Sequence, residues 1–282
     1  MAAHFWKGLG PTGSSGIQTK AMASSSIIQA PKADLSDPIE VIGHRGYSTV
    51  APENTLASIE AALAAGAPAV EFDLQFALCG TPILFHDERL ERTTNGVGRV
   101  DERTLKQLQV LDAGIWFSSD FTGERIPSFV EALELLNGRV DHIYPEIKRS
   151  RTPEDLDQIV RLVRDRRLLE RTTFISIDWT ALEHVRTADP NVEIGFIVVS
   201  SSQFPEALAL ATSDPRAILD LSHEFVLRDP SVVERARAAG LRVATWTVND
   251  PEEATILRKV GVSHFTTDQV KQLVAWASSA GG

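Results

Sequence analysis

From Ile39 onward, short runs of β-branched and aliphatic residues alternate with longer stretches in which apolar side chains recur every three to four positions. The short runs mark strands and the longer ones amphipathic helices, and their alternation is that of a parallel sheet joined by crossover helices. Strands fall at 40–45, 69–75, 141–147, 172–177, 192–198, 216–221, 242–247 and 263–266. Helices fall at 53–65, 128–137, 153–168, 179–188, 204–212, 230–239, 251–259 and 268–278. Eight such units in a domain of this length predict an α/β protein with a closed (β/α)8 TIM barrel over residues 39–282.

One run breaks the alternation. Pro82-Ile83-Leu84-Phe85-His86 follows the second strand after only a few residues around Gly80, too short a link for a parallel crossover, so it folds back as the second arm of a hairpin. That return brings His86 towards the mouth of the barrel. Residues 88–127 then show no strong period, and a long irregular stretch containing Trp116 and Phe117 reads as a small cap over the mouth rather than as disorder. Residues 1–38 read differently. They are rich in Gly, Ser, Ala and Pro, with Asp34 as the first acidic residue, and suggest a disordered tail, a tag or a misplaced start with Met22 as the alternative.

Composition narrows the function more than it changes the fold. With 43% hydrophobic residues over 282 positions the chain can bury one large core. A formal charge of −10 argues against a general nucleic-acid surface, so an anionic substrate must be held by local positive charge. The richest apolar run, 61–70, is short and broken by Gly66 and Pro68, which predicts no stable membrane insertion. The lone Cys79 excludes an internal disulfide and a thiolate metal cluster and, with no secretory signal, suggests a cytoplasmic protein. Nothing in the pattern encodes an oligomeric state.

The candidate chemistry gathers at strand ends. Successive side chains on a strand point to opposite faces, so Glu71 and Asp73 share one face, as do Glu146 and Lys148, and both pairs are expected to face inward. All four stand late in their strands, at the barrel end where sites of this architecture lie. Three carboxylates converging in a partly buried mouth repel one another unless a divalent cation neutralises them, and an all-oxygen set favours Mg²⁺ or Ca²⁺ over Zn²⁺. His44 and His86 are then the proton-transfer pair, and Arg45 and Lys148 supply positive charge for an anionic transition state. Trp246, late in the seventh parallel strand, is placed to pack against substrate, and Trp116 and Phe117 either line the leaving-group side or glue the cap to the barrel. Glu53 reads as a first-turn acid on a helix dipole, Asn54 and Asp87 as orienting or capping residues, and His142, His184, His223 and His264 as structural. Asp220 and His223, late in the sixth parallel strand, are the outlying candidates for the mouth.

The segments Gly43-His44-Arg45-Gly46, Pro52-Glu53-Asn54-Thr55, Glu71-Phe72-Asp73, His86-Asp87, Glu146-Ile147-Lys148 and Trp246-Thr247-Val248-Asn249 stand in an order that resembles the glycerophosphodiester phosphodiesterase family. The likeness runs from about residue 40 to about residue 275. It implies metal ligation by Glu71, Asp73 and Glu146, and a small-molecule glycerophosphodiester substrate such as glycerophosphocholine or glycerophosphoethanolamine. It also implies release of sn-glycerol 3-phosphate and an alcohol, through attack by the glycerol 2-hydroxyl and a cyclic phosphate. One histidine takes a proton and the other gives it; we assign His44 as base and His86 as acid, with nothing local in the sequence to distinguish them. The sequence departs from the family at the hairpin, where Cys79-Gly80 replaces Asp-Gly, and at the last strand, where Ser263-His264-Phe265 replaces Asp-Gly and the proline after Thr267-Asp268 is missing. Two alternatives stand beside this reading. One is a lysophospholipase D-like enzyme on lipid phosphodiesters, which needs an apolar rim, and the other is a silent barrel that only binds them.

Overall fold

In the computed structural model, which describes residues 37–280, β1 (Glu40–Gly43) pairs in parallel with both β2 (Ala69–Phe76) and β9 (His264–Thr267). That double pairing closes the sheet. Between them run β4 (His142–Ile147), β5 (Thr173–Ser176), β6 (Glu193–Val198), β7 (Ala217–Ser222) and β8 (Arg242–Trp246), giving eight parallel strands in one barrel. The ninth, β3 (Pro82–Leu84), is antiparallel to the far half of β2, with Leu74 opposite Leu84, so the expected hairpin forms. The helices are α1 (Leu56–Ala64), α2 (Leu105–Leu108), α3 (Phe129–Leu136), α4 (Pro153–Asp165), α5 (Trp179–Ala188), α6 (Phe204–Ser213), α7 (His223–Arg228), α8 (Ser231–Ala238), α9 (Pro251–Lys259) and α10 (Val270–Ala280). None among the described residues is long and apolar enough to cross a membrane.

The helix α3 illustrates how the sequence sets each unit. Ser128 accepts from the Glu131 backbone N–H while the Glu131 carboxylate accepts from the Ser128 N–H at 2.8 Å, a reciprocal cap that satisfies two otherwise free donors. Phe129, Ala132, Leu133 and Leu136, spaced for one helical face, are buried. The Phe129 ring lies 5.9 Å from that of Phe72, on the outer face of the strand that carries Glu71 and Asp73 inward. The same alternation puts Val70, Phe72 and Leu74 into the layer between barrel and helices.

Inside the barrel, Ile42, Ala69, Tyr144, Ile175, Ile197, Ile218 and Ala244 form the floor of the cavity described below. Gly195 makes room for them: a Cβ there would lie 2.7 Å from Ile175 and 3.0 Å from Ile218. Beneath this layer, at the N-terminal end of the strands, is a polar plug. Tyr144 donates to Glu40, His142 meets Thr173 at 2.8 Å, Arg242 pairs with Glu193, and His264 meets Ser263 at 2.7 Å. Burial drives both imidazoles towards the neutral form, His142 down to about 4 and His264 to about 3.

Several element ends differ from the sequence reading. The first strand stops at Gly43 rather than at residue 45, because Arg45 adopts φ +55°. The helix expected at 53–65 begins only at Leu56, behind a Thr55 cap, and the one expected at 153–168 ends at Asp165. The short α7 has too few residues to display a period. Residues 1–36 of the expected tail lie outside the described residues, and the chain is already tied down at Asp37, whose carboxylate accepts from Arg237 at 2.7 Å. The insertion has a small core of its own, in which Phe85, Leu90, Val100, Leu108 and Ile126 are buried. Trp116, Phe117 and Phe121 stack edge-on within it, at 5.7 and 5.6 Å.

Because His142 and His264 must gain protons when the chain unfolds, their contribution is full above about pH 6.5 and is lost as pH falls towards their folded values, at about 1–2 kcal/mol each by pH 5. These two groups should therefore pull the urea midpoint down between pH 7 and pH 5, against the buried acids that pull it up. In the double variant His142→Gln, His264→Gln the midpoint should fall less, or rise, between pH 7 and pH 5 relative to wild type, and an unchanged pH dependence would show that the plug does not contribute to it.

Candidate active site

The register between β2 and β4 sets Asp73 directly beside Glu146, and the two-residue repeat of β2 puts Glu71 on the same inward face. One oxygen from each of Glu71, Asp73 and Glu146 lies within 4.8 Å of the others. Glu71 and Asp73 are buried, and the Glu146 side chain is 12% exposed.

The turn after β1 brings positive charge onto this cluster. Arg45 takes a left-handed conformation and Gly46 follows at φ +85°, where a Cβ would sit 2.5 Å from the Ser58 backbone, so only glycine fits. Ser58 Oγ and the Asn54 N–H both donate to the Arg45 carbonyl, which ties the turn to the start of α1. From this position the Arg45 N–H donates to Glu71 Oε2 at 2.8 Å, and its Nε stands 3.2 Å from Asp73 Oδ2. Lys148 Nζ lies 3.2 Å from Asp73 Oδ1 and donates to Glu146 at 2.7 Å. Asn54, also left-handed, donates to Asp73 Oδ2 at 2.7 Å and accepts from the Asp73 N–H at 3.0 Å.

These contacts divide the three acids. Burial raises all of them, but Lys148 and Arg45 outweigh it at Asp73 and hold that carboxyl down at about 2. At Glu71, burial and the charges of Asp73 and Glu146 win, and the carboxyl is held well above its usual range. Glu146 is raised too, by burial and Asp73 against Lys148. The cations sit at ion-pair distance without hydrogen-bond alignment to every oxygen, so Glu71 Oε1 and Asp73 Oδ1 have no donor. Two unmet buried oxygens and a third acid beside them fit a hard divalent cation.

Each histidine is held by its own carboxylate. His44 Nδ1 lies 2.7 Å from Asp268 Oδ1, and Asp268 also accepts from Ser48 and from Asn249. Burial raises the Asp268 carboxyl, but the His44 contact and these donors outweigh it and hold it at about 2. His86 Nδ1 lies 2.7 Å from Asp87 Oδ1, and Arg92 grips both Asp87 and Glu53. Glu53 in turn accepts from Arg45 at 2.8 Å. Gln75 on β2 donates to the His86 carbonyl at 2.9 Å, which pins the hairpin arm. Burial lowers the His86 pKa, against the raising charges of Asp73 and Asp87.

A cavity of about 300 Å³ joins these groups. His44, Arg45, Glu71, His86, Glu146 and Lys148 form its charged side, and Ile175, Ile177, Ile197, Asp220 and Trp246 the other. Trp246 thus reaches the cavity, whereas Trp116 and Phe117 do not line it; the Trp116 indole donates within the insertion, to the Ala113 carbonyl. His223 meets the Trp246 carbonyl at 3.1 Å, His184 meets Asp157 on the surface, and His142 and His264 belong to the plug. Glu53 corrects the sequence reading: it precedes the helix and bridges two arginines, so it is no first-turn acid. The sequence reading names Asn249 and Asp268 only within motifs, without a role, and does not point to Arg92. The place of Asp268 at the C-terminal end of the last strand was a usable signal, while Arg92 in the aperiodic insertion offered none.

A family model described as the glycerophosphoryl diester phosphodiesterase family matches residues 44–272. A glycerophosphodiester phosphodiesterase of Caldanaerobacter subterraneus is 32% identical over 237 residues, covering 83% of this chain and 96% of the relative. Among solved structures, a phosphodiesterase of Oleispira antarctica in complex with the product sn-glycerol-3-phosphate superposes with a TM-score of 0.74 at 29% identity, covering 85% of this chain and 96% of that one. A glycerophosphodiester phosphodiesterase of Agrobacterium tumefaciens gives a TM-score of 0.73 at 27% identity, with 84% and 99% covered.

The electrostatics yield a stability test. A carboxyl whose folded pKa is raised costs stability as pH climbs above its unfolded value, so in chelator Glu71→Gln should stabilise the protein, and more at pH 8 than at pH 5. The expected gain at pH 8 is about 1 kcal/mol, or ~2–4 °C in melting temperature for a domain of this size. A variant that melts lower than wild type at pH 8 would contradict the repulsion described.

Proposed function

The chain belongs to the glycerophosphoryl diester phosphodiesterase family, and we propose that it hydrolyses water-soluble glycerophosphodiesters to sn-glycerol 3-phosphate and an alcohol. The observation that carries this reading is the cavity itself, where a buried carboxylate cluster, two cations and two carboxylate-held histidines meet. The Oleispira relative, solved with sn-glycerol-3-phosphate, supports the product. Glu71, Asp73 and Glu146 would hold a divalent cation, Mg²⁺ or Ca²⁺, which when bound would supply Lewis-acid stabilisation of charge on the phosphoryl group.

The remaining steps belong to side chains. His44 stands on the carboxylate side, its Nε2 4.0 Å from Glu71 Oε2, and removes the proton from the substrate's 2-hydroxyl. The freed oxygen attacks phosphorus, and because nucleophile and phosphate belong to one molecule the step gains the advantage of held reactants. His86, on the insertion side, gives its proton to the departing alcohol. Asp87 and Arg92 fix its ring for that transfer. Arg45 and Lys148 stabilise the added negative charge on the phosphoryl group. The two histidines then exchange roles: His86 takes a proton from water, the water oxygen opens the cyclic phosphate, and His44 returns a proton to the 2-hydroxyl oxygen. Trp246 packs against the glycerol end of the substrate. The silent-barrel alternative is not favoured, since every acid, base and cation the reaction needs is assembled at one cavity.

Enzyme-coupled release of sn-glycerol 3-phosphate from glycerophosphocholine tests the reading. Release should stop in chelator, return with Mg²⁺ or Ca²⁺, and fall at least ~100-fold in Glu71→Ala. A folded protein that releases nothing with either metal would overturn it. The order of the histidines is separable. His44→Ala should lose ~10²–10⁴-fold on any leaving group, while His86→Ala should recover most of its loss on a p-nitrophenyl ester of glycerol phosphate, which leaves without a proton. Recovery in His44→Ala instead would reverse the assignment.

A further inference from the structure

The wall opposite the carboxylates holds two buried polar groups that the steps above do not employ. Asp220, near the end of β7, is 4% exposed and stands among Ile175, Ile197 and its register neighbour Ala244. Its Oδ1 has no hydrogen-bond partner, and the charge that acts on it is the like charge of Glu146. Trp246, one inward position along on β8, lines the same cavity, and its Nε1 donor is also buried without an acceptor. Buried polar groups are as a rule hydrogen-bonded, so an unmet carboxyl and an unmet indole N–H on one wall point to a ligand that answers both.

Asp220 lies outside the oxygen cluster of Glu71, Asp73 and Glu146. In the closed sheet β7 stands across from β2, with three strands between them either way round. A substrate whose phosphate is held at β1, β2 and β4 therefore extends its far carbon towards Asp220, past the aliphatic faces of Ile175 and Ile197. We propose that Asp220, together with the Trp246 N–H, recognises the free primary hydroxyl of the substrate's glycerol half, the hydroxyl that takes no part in the displacement. A hydroxyl accepts from an indole N–H and donates to a carboxyl oxygen. An ammonium group only donates and would leave the indole unmatched, and a methyl group does neither. This assignment rests on the phosphodiesterase reading above and adds the residue that distinguishes glycerol from a shorter diol.

The test compares glycerophosphocholine with 2-hydroxyethyl phosphocholine, which keeps the nucleophilic hydroxyl, the phosphate and the leaving group and lacks only the hydroxymethyl arm. Wild type should favour glycerophosphocholine in kcat/KM by about 10- to 100-fold. Asp220→Leu should bring the ratio close to one, whereas Asp220→Asn, which still donates and accepts, should retain most of it. Trp246→Phe removes the N–H and keeps the ring; it should lower the ratio independently, and it carries the test if thermal melting shows Asp220→Leu to be unfolded. A wild type that turns over both substrates equally, or folded variants that keep its preference, would overturn the assignment. A wild type that turns over neither overturns the phosphodiesterase reading and the assignment with it, and the absence of all turnover tells the two failures apart.

Discussion

Three carboxylates within 4.8 Å of one another, inside a barrel whose walls are largely hydrocarbon, are the constraint to which the rest of the site answers. Among the described residues Arg45 and Lys148 are the arginine and lysine that reach them, so the cluster holds three acids against two permanent cations. Asp73, which meets both cations and Asn54, is drawn down to about 2, while Glu71 and Glu146 are left raised. Like charges of this kind persist in an interior when function requires them and a cation completes them. The left-handed turn at Arg45, the glycine behind it and the buried Asn54 are the local devices that bring compensating groups within reach.

A second consequence is a line of alternating charge that leaves the cluster. It runs from Asp73 through Arg45, Glu53, Arg92 and Asp87 to His86, and so joins the barrel to the irregular insertion. The insertion thereby holds the His86 ring from outside the barrel, while Asp268 and Asn249, from the last two strand ends, hold that of His44. Both rings are held through Nδ1, by Asp268 and Asp87, and such a contact at one nitrogen fixes the direction in which the other points.

The barrel was legible because crossover helices and parallel strands impose different periods, and the charged residues at strand ends stood out against apolar runs. Glu71, Asp73 and Glu146 could be grouped from a two-residue repeat alone, since neighbouring parallel strands in register bring such pairs together. What stayed hidden depends on the third dimension. Glu53 precedes its helix because Thr55 caps it, and its two arginine partners, Arg45 and Arg92, come together only in the fold. Arg92 lies in a segment without period, and α7 is too short to show one. Trp116 and Phe117 looked like cavity or interface residues, yet they stack within the insertion, a choice that aromatic composition cannot encode.

The central claim is that the buried acids exist to hold one divalent cation at the reacting phosphate. Anomalous diffraction from crystals grown with Mn²⁺, a substitute for Mg²⁺ that scatters anomalously, tests it most directly. One peak at ~2.0–2.4 Å from oxygens of Glu71, Asp73 and Glu146, absent in Glu71→Gln, is the predicted result. A catalytically active protein with no peak there, or with its only peak elsewhere, would contradict the account.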